Sequence, residues 1–228
     1  MPMKMMLSVV LVAVAALVAV AGYAMFKPPA QATAPIEAAP VAQAPAGSAS
    51  TAAVFEIDPN ASSARFVIDE ILRGSPYTVV GTTNHVAGQI AADLDDLDTA
   101  RVGEIRINAR ALTTDADGRN RMLKNQILLT DQHEYITFTP KQMVGLPDQV
   151  TVGQSFTFQM VGDLAIRGTT REATFDVAVT PTAENRLEGT ATSTIRYADW
   201  GVTIPQVPSV AGVADQVALH LDFVAIDS

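Results

Sequence analysis

Apolar and polar side chains alternate along much of the chain, most clearly over residues 156–179. Phe156, Phe158 and Met160 lie on one face of the first run, with polar residues between them. A period of two is typical of a half-buried β-strand. A short polar corner at residues 168–170 separates this run from a second one, so the segment predicts an antiparallel hairpin.

The same alternation recurs through the remaining chain and predicts further strands. They cover residues 55–72, 77–80, 86–92, 102–112, the region of 136–138, 187–197 and 216–226. The acidic stretch 93–98 predicts a solvated loop. The apolar spacing becomes helical only over residues 117–129, where Asp115 or Asp117 is placed to cap one short helix.

These elements predict an all-β fold in which a sheet closes around an apolar interior. The architecture that we expect is an eight-stranded antiparallel barrel. One inward face carries the small residues Gly189, Ala191 and Ser193, which favours a hollow interior. Facing aromatic side chains such as Phe158 and Phe175 could instead fill that space. The pattern leaves both alternatives open.

The amino-terminal region differs from the domain in composition. Residues 5–26 form an uncharged apolar run, and about 20 helical residues at ~1.5 Å each match a hydrocarbon core of about 30 Å. An N-terminal transmembrane helix within residues 1–26 is therefore predicted, with cleavage of a signal peptide at residues 19–21 as the alternative. The sparse flanking charges, Lys4 and Lys27, favour a domain outside the cytoplasm.

Residues 27–52 are rich in proline and alanine and predict a linker, which could reach on the order of 75 Å at ~3.1 Å per residue. The folded domain is predicted over residues 53–228. We expect a single-pass membrane protein with this domain in the periplasm or at the cell surface, or a secreted protein if the leader is cleaved.

Charge and composition exclude several classes of function. All but one of the 24 acidic and all but two of the 15 basic side chains lie beyond residue 50, so the domain carries about −10 and would repel nucleic acid. The chain has no cysteine, and His85, His133 and His220 are far apart in sequence. Neither a metal site, a cofactor site nor a catalytic constellation is predicted.

Several segments in order resemble the YceI-like family of lipid- and polyisoprenoid-binding proteins, over roughly residues 54–226. They are residues 55–58 with Arg65 and Phe66, residues 102–114, Arg119 with Leu123 and Lys124, Thr137 with Phe138, residues 162–171 and residues 199–202. The resemblance implies an elongated, lipocalin-like barrel that binds a long apolar chain in its lumen. Isoprenoids, isoprenoid quinones and fatty-acid derivatives are the ligand classes it suggests.

The predicted function is non-catalytic carriage or sequestration of such a lipid, and a ligand-free structural or interaction barrel on a stalk is the alternative. A homodimer is a further possible assembly. The predicted lumen residues are Phe66, Ile68, Ile105, Ile107, Met122, Leu123, Phe138, Phe158, Met160, Leu164, Phe175, Trp200, Leu219 and Phe223.

Trp200 and the proline-containing segment 204–213 allow two interpretations. A lone tryptophan is usually part of a core, which would make the pair an aromatic plug and a loop. Alternatively, the segment forms a mobile rim that admits a lipid at the mouth of the barrel.

Overall fold

The computed structural model describes residues 27–33, 36–40 and 52–227, which contain one antiparallel sheet of thirteen strands. The strands are β1 Ala53–Ile57, β2 Ser63–Leu72, β3 Ser75–Thr83, β4 Val86–Ala87, β5 Gln89–Asp93, β6 Asp96–Val102, β7 Ile105–Asn108, β8 Tyr135–Val144, β9 Phe156–Ile166, β10 Thr169–Ala183, β11 Arg186–Arg196, β12 Val210–Val213 and β13 Gln216–Asp227. The helical elements are the 3₁₀ helices Ala109–Ala111 and Tyr197–Trp200, the α-helix α1 Asp117–Met122 and the π-helix Leu123–Ile127.

The order of the strands shows that the sheet curls around its core. Ten strands follow one another as β4-β7-β8-β9-β10-β11-β13-β1-β5-β6, while β2 pairs with β13, β3 and β12. β4 begins this order and β5 stands next to its end, yet only Gly88 separates these two strands along the chain. The sheet must therefore bend round, which turns one face of nearly every strand toward a common apolar core.

The predicted barrel of eight strands is wrong, because the described residues contain thirteen strands. Glycine at position 88 divides one predicted strand into the two-residue β4 and the five-residue β5. β6 begins at Asp96, inside the acidic stretch that predicted a loop. β12 spans only four residues in a segment that also predicted a loop, since Pro205 and Pro208 precede it.

The predicted transmembrane helix, residues 5–26, lies outside the described residues. Among the residues that the structure does describe, no helix combines the length and the apolar character needed to cross a bilayer.

The predicted hairpin at residues 156–179 is confirmed. β9 and β10 pair in antiparallel register from Phe156 opposite Val179 to Ile166 opposite Thr169. Burial alternates along β9, where Phe158 and Met160 are buried. Apolar alternation thus fixed both the strands and the face that each turns inward.

The predicted helix is also confirmed, as α1 followed directly by the π-helix; residues 117–127 are called the helical cap below. Its predicted capping by Asp115 or Asp117 is wrong. Ala116 occupies the N-cap position, and no side chain accepts a capping hydrogen bond there. Asp115 instead pairs with Arg119 and accepts a hydrogen bond from Tyr77.

At Gly189 an aromatic ring fills the space that a small residue leaves. Gly189 on β11 lies directly opposite Phe223 on β13. A Cβ atom at this glycine would lie 2.6 Å from Phe223 Cζ and 2.6 Å from the Ala178 carbonyl oxygen. The Phe223 ring and the Ala178 carbonyl group therefore pack directly against the Cα atom of Gly189.

We expect alanine at position 189 to destabilise the domain by about 1–3 kcal/mol, because an added methyl group must displace both neighbours in a packed core. Gly212 on β12 is the matched control, since nothing lies within 4 Å of a Cβ atom built there. Thermal unfolding of Gly189→Ala, Gly212→Ala and the parent measures the difference. Equal melting temperatures for the two variants would contradict the proposed packing.

Residues 27–33, called the strap below, lie against the folded domain although they belong to the predicted linker. Lys27 forms an ion pair with Asp131, and its carbonyl oxygen accepts a hydrogen bond from Asn125 Nδ2 at 2.9 Å. At the other end of the strap, the backbone N–H of Thr33 donates to Glu134 Oε1 at 2.7 Å. The strap is therefore bound at both of its ends.

Candidate ligand-binding cavities

The core of the sheet encloses a first cavity, cavity 1, with a volume of about 170 Å³. Its lining side chains come from β1, β2, β5 to β11 and β13 and, for Leu94, Leu112 and Leu146, from connecting segments; all are apolar except Arg65 and His220. Arg65 bonds the Asp222 carboxylate at 3.0 Å, and 42% of its side chain is exposed. A dry apolar cavity of about 150 Å³ can hold a small hydrocarbon, so cavity 1 can accept an apolar group.

A second cavity, cavity 2, has a volume of about 470 Å³ and lies at the end of the sheet that carries the helical cap. Met122, Leu123 and Ile127 of the cap form part of its wall. The segment 202–213, which includes β12, contributes further apolar side chains. This volume falls in the range of about 300–1,000 Å³ that is usual for small-molecule sites.

Five side chains border both cavities and are called the waist: Phe66, Leu112, Ile136, Ile166 and Leu219. An apolar chain that occupies both cavities has to pass between them. Cavities 1 and 2 therefore adjoin at the waist, where a chain that extends from one into the other would pass.

The structure places thirteen of the fourteen predicted lumen residues on these walls. Cavity 1 is bordered by Ile105, Ile107, Phe138, Phe158, Met160, Leu164, Phe175 and Phe223, cavity 2 by Ile68, Met122 and Leu123, and both cavities by Phe66 and Leu219. That these side chains contact a ligand stays a prediction.

Trp200 is the predicted lumen residue that borders neither cavity. It is 4% exposed, and its indole N–H donates a hydrogen bond to the Leu164 carbonyl oxygen at 2.9 Å. The side chain thus packs in the core, as the first of the two interpretations has it. Segment 204–213 does border cavity 2, through Ile204, Pro205 and Val207 among others.

Sequence reasoning missed part of the wall of cavity 1 in the acidic stretch. Leu94 and Leu97 line the cavity, and Leu97 is only 3% exposed. Backbone bonds hold both residues in place, because Leu97 N–H donates to Asp148 and Val150 N–H donates to the Leu94 carbonyl oxygen. The presence of Leu94 and Leu97 among the aspartates of this stretch could have indicated a buried face.

A cluster of charged and polar side chains reaches the wall of cavity 2 through Glu70 and Arg119. Arg119 donates to Glu70 Oε1 at 3.0 Å and also pairs with Asp115. Its guanidinium carbon lies 5.6 Å from the centre of the Tyr77 ring. Only 9% of the Glu70 side chain and 22% of the Arg119 side chain are exposed. These four residues are called the Arg119 cluster.

The positive charge of Arg119 is neutralised by carboxylates within the Arg119 cluster. One guanidinium faces two carboxylates, and Tyr77 donates to Asp115 at 2.6 Å. This hydrogen bond, with the nearby Arg119 charge, lowers the pKa of Asp115, and the same bond raises the pKa of Tyr77. The cluster is therefore suited to a neutral hydrogen-bonding group more than to an anion.

A metal centre finds no support in the described part of the chain, where no group of three or more histidine, aspartate or glutamate side chains could hold an ion. Among the few polar side chains on the cavity walls, Glu70 and Arg119 pair with each other and Arg65 pairs with Asp222. Chemically, the arrangement can enclose an apolar chain and offer hydrogen bonds at one end.

The fold and these cavities define an all-β protein whose curled antiparallel sheet surrounds an apolar interior. Its membership can be stated more closely: the chain belongs to the YceI-like family, whose domain model matches residues 55–225. Curated relatives include UPF0312 proteins of Staphylococcus epidermidis and Staphylococcus aureus. Each is 26% identical over 165 residues, which cover 70% of this chain and 88% of the relative.

Two solved structures share the fold. One is a polyisoprenoid binding domain from Saccharophagus degradans implicated in plant cell wall breakdown, with a TM-score of 0.60 and 16% identity over 78% of this chain and all of that one. The other is BcnA of Burkholderia cenocepacia, with a TM-score of 0.59 and 15% identity over 74% of this chain and 98% of that one.

Proposed function

We propose that the protein binds a long-chain lipid, such as an isoprenoid, an isoprenoid quinone or a fatty-acid derivative, inside the curled sheet and carries or sequesters it without catalysis. The observation that carries the proposal is the pair of adjoining apolar cavities. Each buried methylene contributes about 0.8 kcal/mol, so a long chain can bind tightly with few polar contacts. The polyisoprenoid-binding description of the Saccharophagus domain supports the same ligand class.

The Arg119 cluster supports a neutral head group. An anionic phosphate would meet the Glu70 and Asp115 carboxylates that already neutralise Arg119. A quinone carbonyl or an alcohol can accept a hydrogen bond from the guanidinium without displacing either carboxylate. We therefore place an isoprenoid quinone or alcohol ahead of a polyisoprenoid phosphate as the ligand.

The proposed location is the outer side of the cytoplasmic membrane, to which residues 5–26 attach the chain. The length of that apolar run and the weak charge bias around it support the proposal. Secretion after cleavage of the leader is the alternative, and it leaves the binding function unchanged.

Native mass spectrometry on the full chain, released from detergent after exposure to a membrane lipid extract, tests the binding. We expect one bound species of several hundred daltons that extracts into organic solvent as an isoprenoid. In competition, a long-chain quinone should displace it at least about tenfold better than a polyisoprenoid phosphate of equal length, a difference of about 1.4 kcal/mol.

A chain of unaltered mass after that exposure would instead favour the ligand-free structural barrel. Preference for the phosphate would leave lipid binding standing and refute the assignment of the head group. The same spectra report whether the protein is a monomer or a homodimer.

A further inference from the structure

The strap occupies a binding site built from domain side chains. Thr33 contributes its backbone N–H and its hydroxyl group, which donate to the two carboxylate oxygens of Glu134 at 2.7 and 3.0 Å. The backbone N–H of Ala30 donates to Asp131 Oδ1 at 3.4 Å, and Asp131 also holds Lys27. The carboxylates of Asp131 and Glu134 thus bind both backbone and side-chain groups of the strap.

The domain holds Glu134 in position for this role. Asn108 is fully buried and donates to Glu134 Oε1 at 2.8 Å, while Arg110 donates to Oε2 at 2.7 Å. Burial acts to raise the pKa of Glu134, but the hydrogen bonds from Thr33 and Asn108 and the charge of Arg110 outweigh it, so that pKa is lowered. A carboxylate oriented in this way is a prepared acceptor for the strap.

The strap site lies at the same end of the sheet as cavity 2. β7 ends at Asn108, and its antiparallel partner β8 begins at Tyr135 opposite that residue. Asn125, which bonds the Lys27 carbonyl oxygen, belongs to the π-helix whose Leu123 and Ile127 border cavity 2. The helical cap therefore has the strap on one side and the cavity on the other.

Lys27 follows Phe26, the last residue of the apolar run, by one peptide bond. Consecutive Cα atoms are about 3.8 Å apart, so a bound Lys27 keeps Asp131 on the order of 10 Å from the point where the run ends. A free linker over residues 27–52 would instead allow separations on the order of 75 Å.

We propose that the bound strap holds the cap end of the domain against the membrane surface, so that cavity 2 faces the lipid; this rests on the membrane attachment proposed above. The partner of this end of the domain is thus the bilayer to which the chain itself is attached. A lipid then has a short path into the cavity, with no need for the domain to swing on a long linker.

Energy transfer to a lipid-borne acceptor tests the orientation on the full chain in liposomes. The chain lacks cysteine, so Gln132→Cys and Gln154→Cys each create one labelling site for a donor dye. Both glutamines are exposed; Gln132 lies beside Asp131, whereas Gln154 lies beyond the opposite end of β8, about 30 Å away at ~3.3 Å per residue. We expect at least about twofold more transfer from position 132.

Variants of the strap contacts complete the test. Combining Lys27→Gln with Asp131→Ala removes the ion pair and the Ala30 hydrogen bond but leaves Thr33 on Glu134, so the domain is held less closely to the end of the apolar run and transfer from position 132 should fall toward the level of position 154. Asp222→Asn, which breaks the surface pair with Arg65, is the matched control and should change nothing.

The two proposals fail in different ways. If the chain floats with liposomes but positions 132 and 154 transfer equally, the strap proposal is overturned and membrane attachment stands. If the chain does not float with liposomes, membrane attachment and the orientation are both overturned, whereas lipid binding measured by native mass spectrometry is unaffected.

Discussion

Tryptophan in place of Leu219 will weaken binding of a long isoprenoid quinone by at least about 100-fold. Leu219 belongs to the waist and borders both cavities. A larger ring there closes the passage, so the part of the chain beyond it loses its buried site. Excluding four methylene-sized groups at ~0.8 kcal/mol each already costs about 3 kcal/mol, which corresponds to a factor of more than 100.

A ligand series measured by fluorescence titration distinguishes closure from misfolding. A short analogue of two or three isoprene units fits into cavity 2 alone, so Leu219→Trp should change its affinity less than about fivefold. Val80→Trp is the control because Val80 is 45% exposed and borders neither cavity. Equal losses for long and short ligands would show that the two cavities do not form one path.

Alanine in place of Trp200 will lower the free energy of unfolding by about 3–5 kcal/mol, the usual cost of removing a buried large aromatic side chain. The residue is 4% exposed, and the truncation also leaves the Leu164 carbonyl oxygen without its indole partner. Because domains of this kind are stable by only about 5–15 kcal/mol, such a loss is a large share of the total. Denaturant unfolding measures it.

Trp200→Phe separates a core role from a ligand contact. This variant retains most of the apolar surface, so we expect a loss of only about 1 kcal/mol from the missing hydrogen bond. Its affinity for lipid should stay within about threefold of the parent, since Trp200 borders neither cavity. A large loss of affinity in the folded variant would support the original prediction that Trp200 lines the lumen.

Alternation of apolar residues predicted the inward faces of long strands because it reports burial directly. β9 and β10 are eleven and fifteen residues long and give several repeats of the pattern. β4 and β12 have two and four residues, which is too short for a period to be visible. The predicted number of strands was therefore wrong where strands are short or interrupted. The predicted core residues were not affected.

The predicted strand at residues 102–112 shows a second limit. Val102 ends β6, and β7 covers only Ile105–Asn108. It stops there because the Asn108 side chain accepts a hydrogen bond from the Arg110 backbone at 3.0 Å and begins a 3₁₀ helix. Ala109 and Ala111 continue the alternation in sequence but not in structure. A local hydrogen bond between a buried side chain and the backbone competes with the hydrogen bonds of the sheet. Composition alone does not reveal such a bond.

The cavity walls were predictable and their polar end was not. Apolar residues on inward faces need only the strand period, whereas the Arg119 cluster joins β2, β3 and the helical cap through Glu70, Tyr77 and Arg119. Positions 49 residues apart meet at this point. Contacts of this kind follow from tertiary geometry, as does the meeting of Thr33 with Glu134.

β13 holds the two halves of the sheet together, because it pairs with β11 on one side and with both β1 and β2 on the other. The partners Phe55 and Asp227 lie at nearly opposite ends of the domain sequence. Strand pairs between residues so distant in sequence form late in folding. They lengthen the folding time to about milliseconds to seconds. While the chain is still emerging from the ribosome, β1 and β2 lack this partner, so the sheet is completed only after synthesis of residues 216–227.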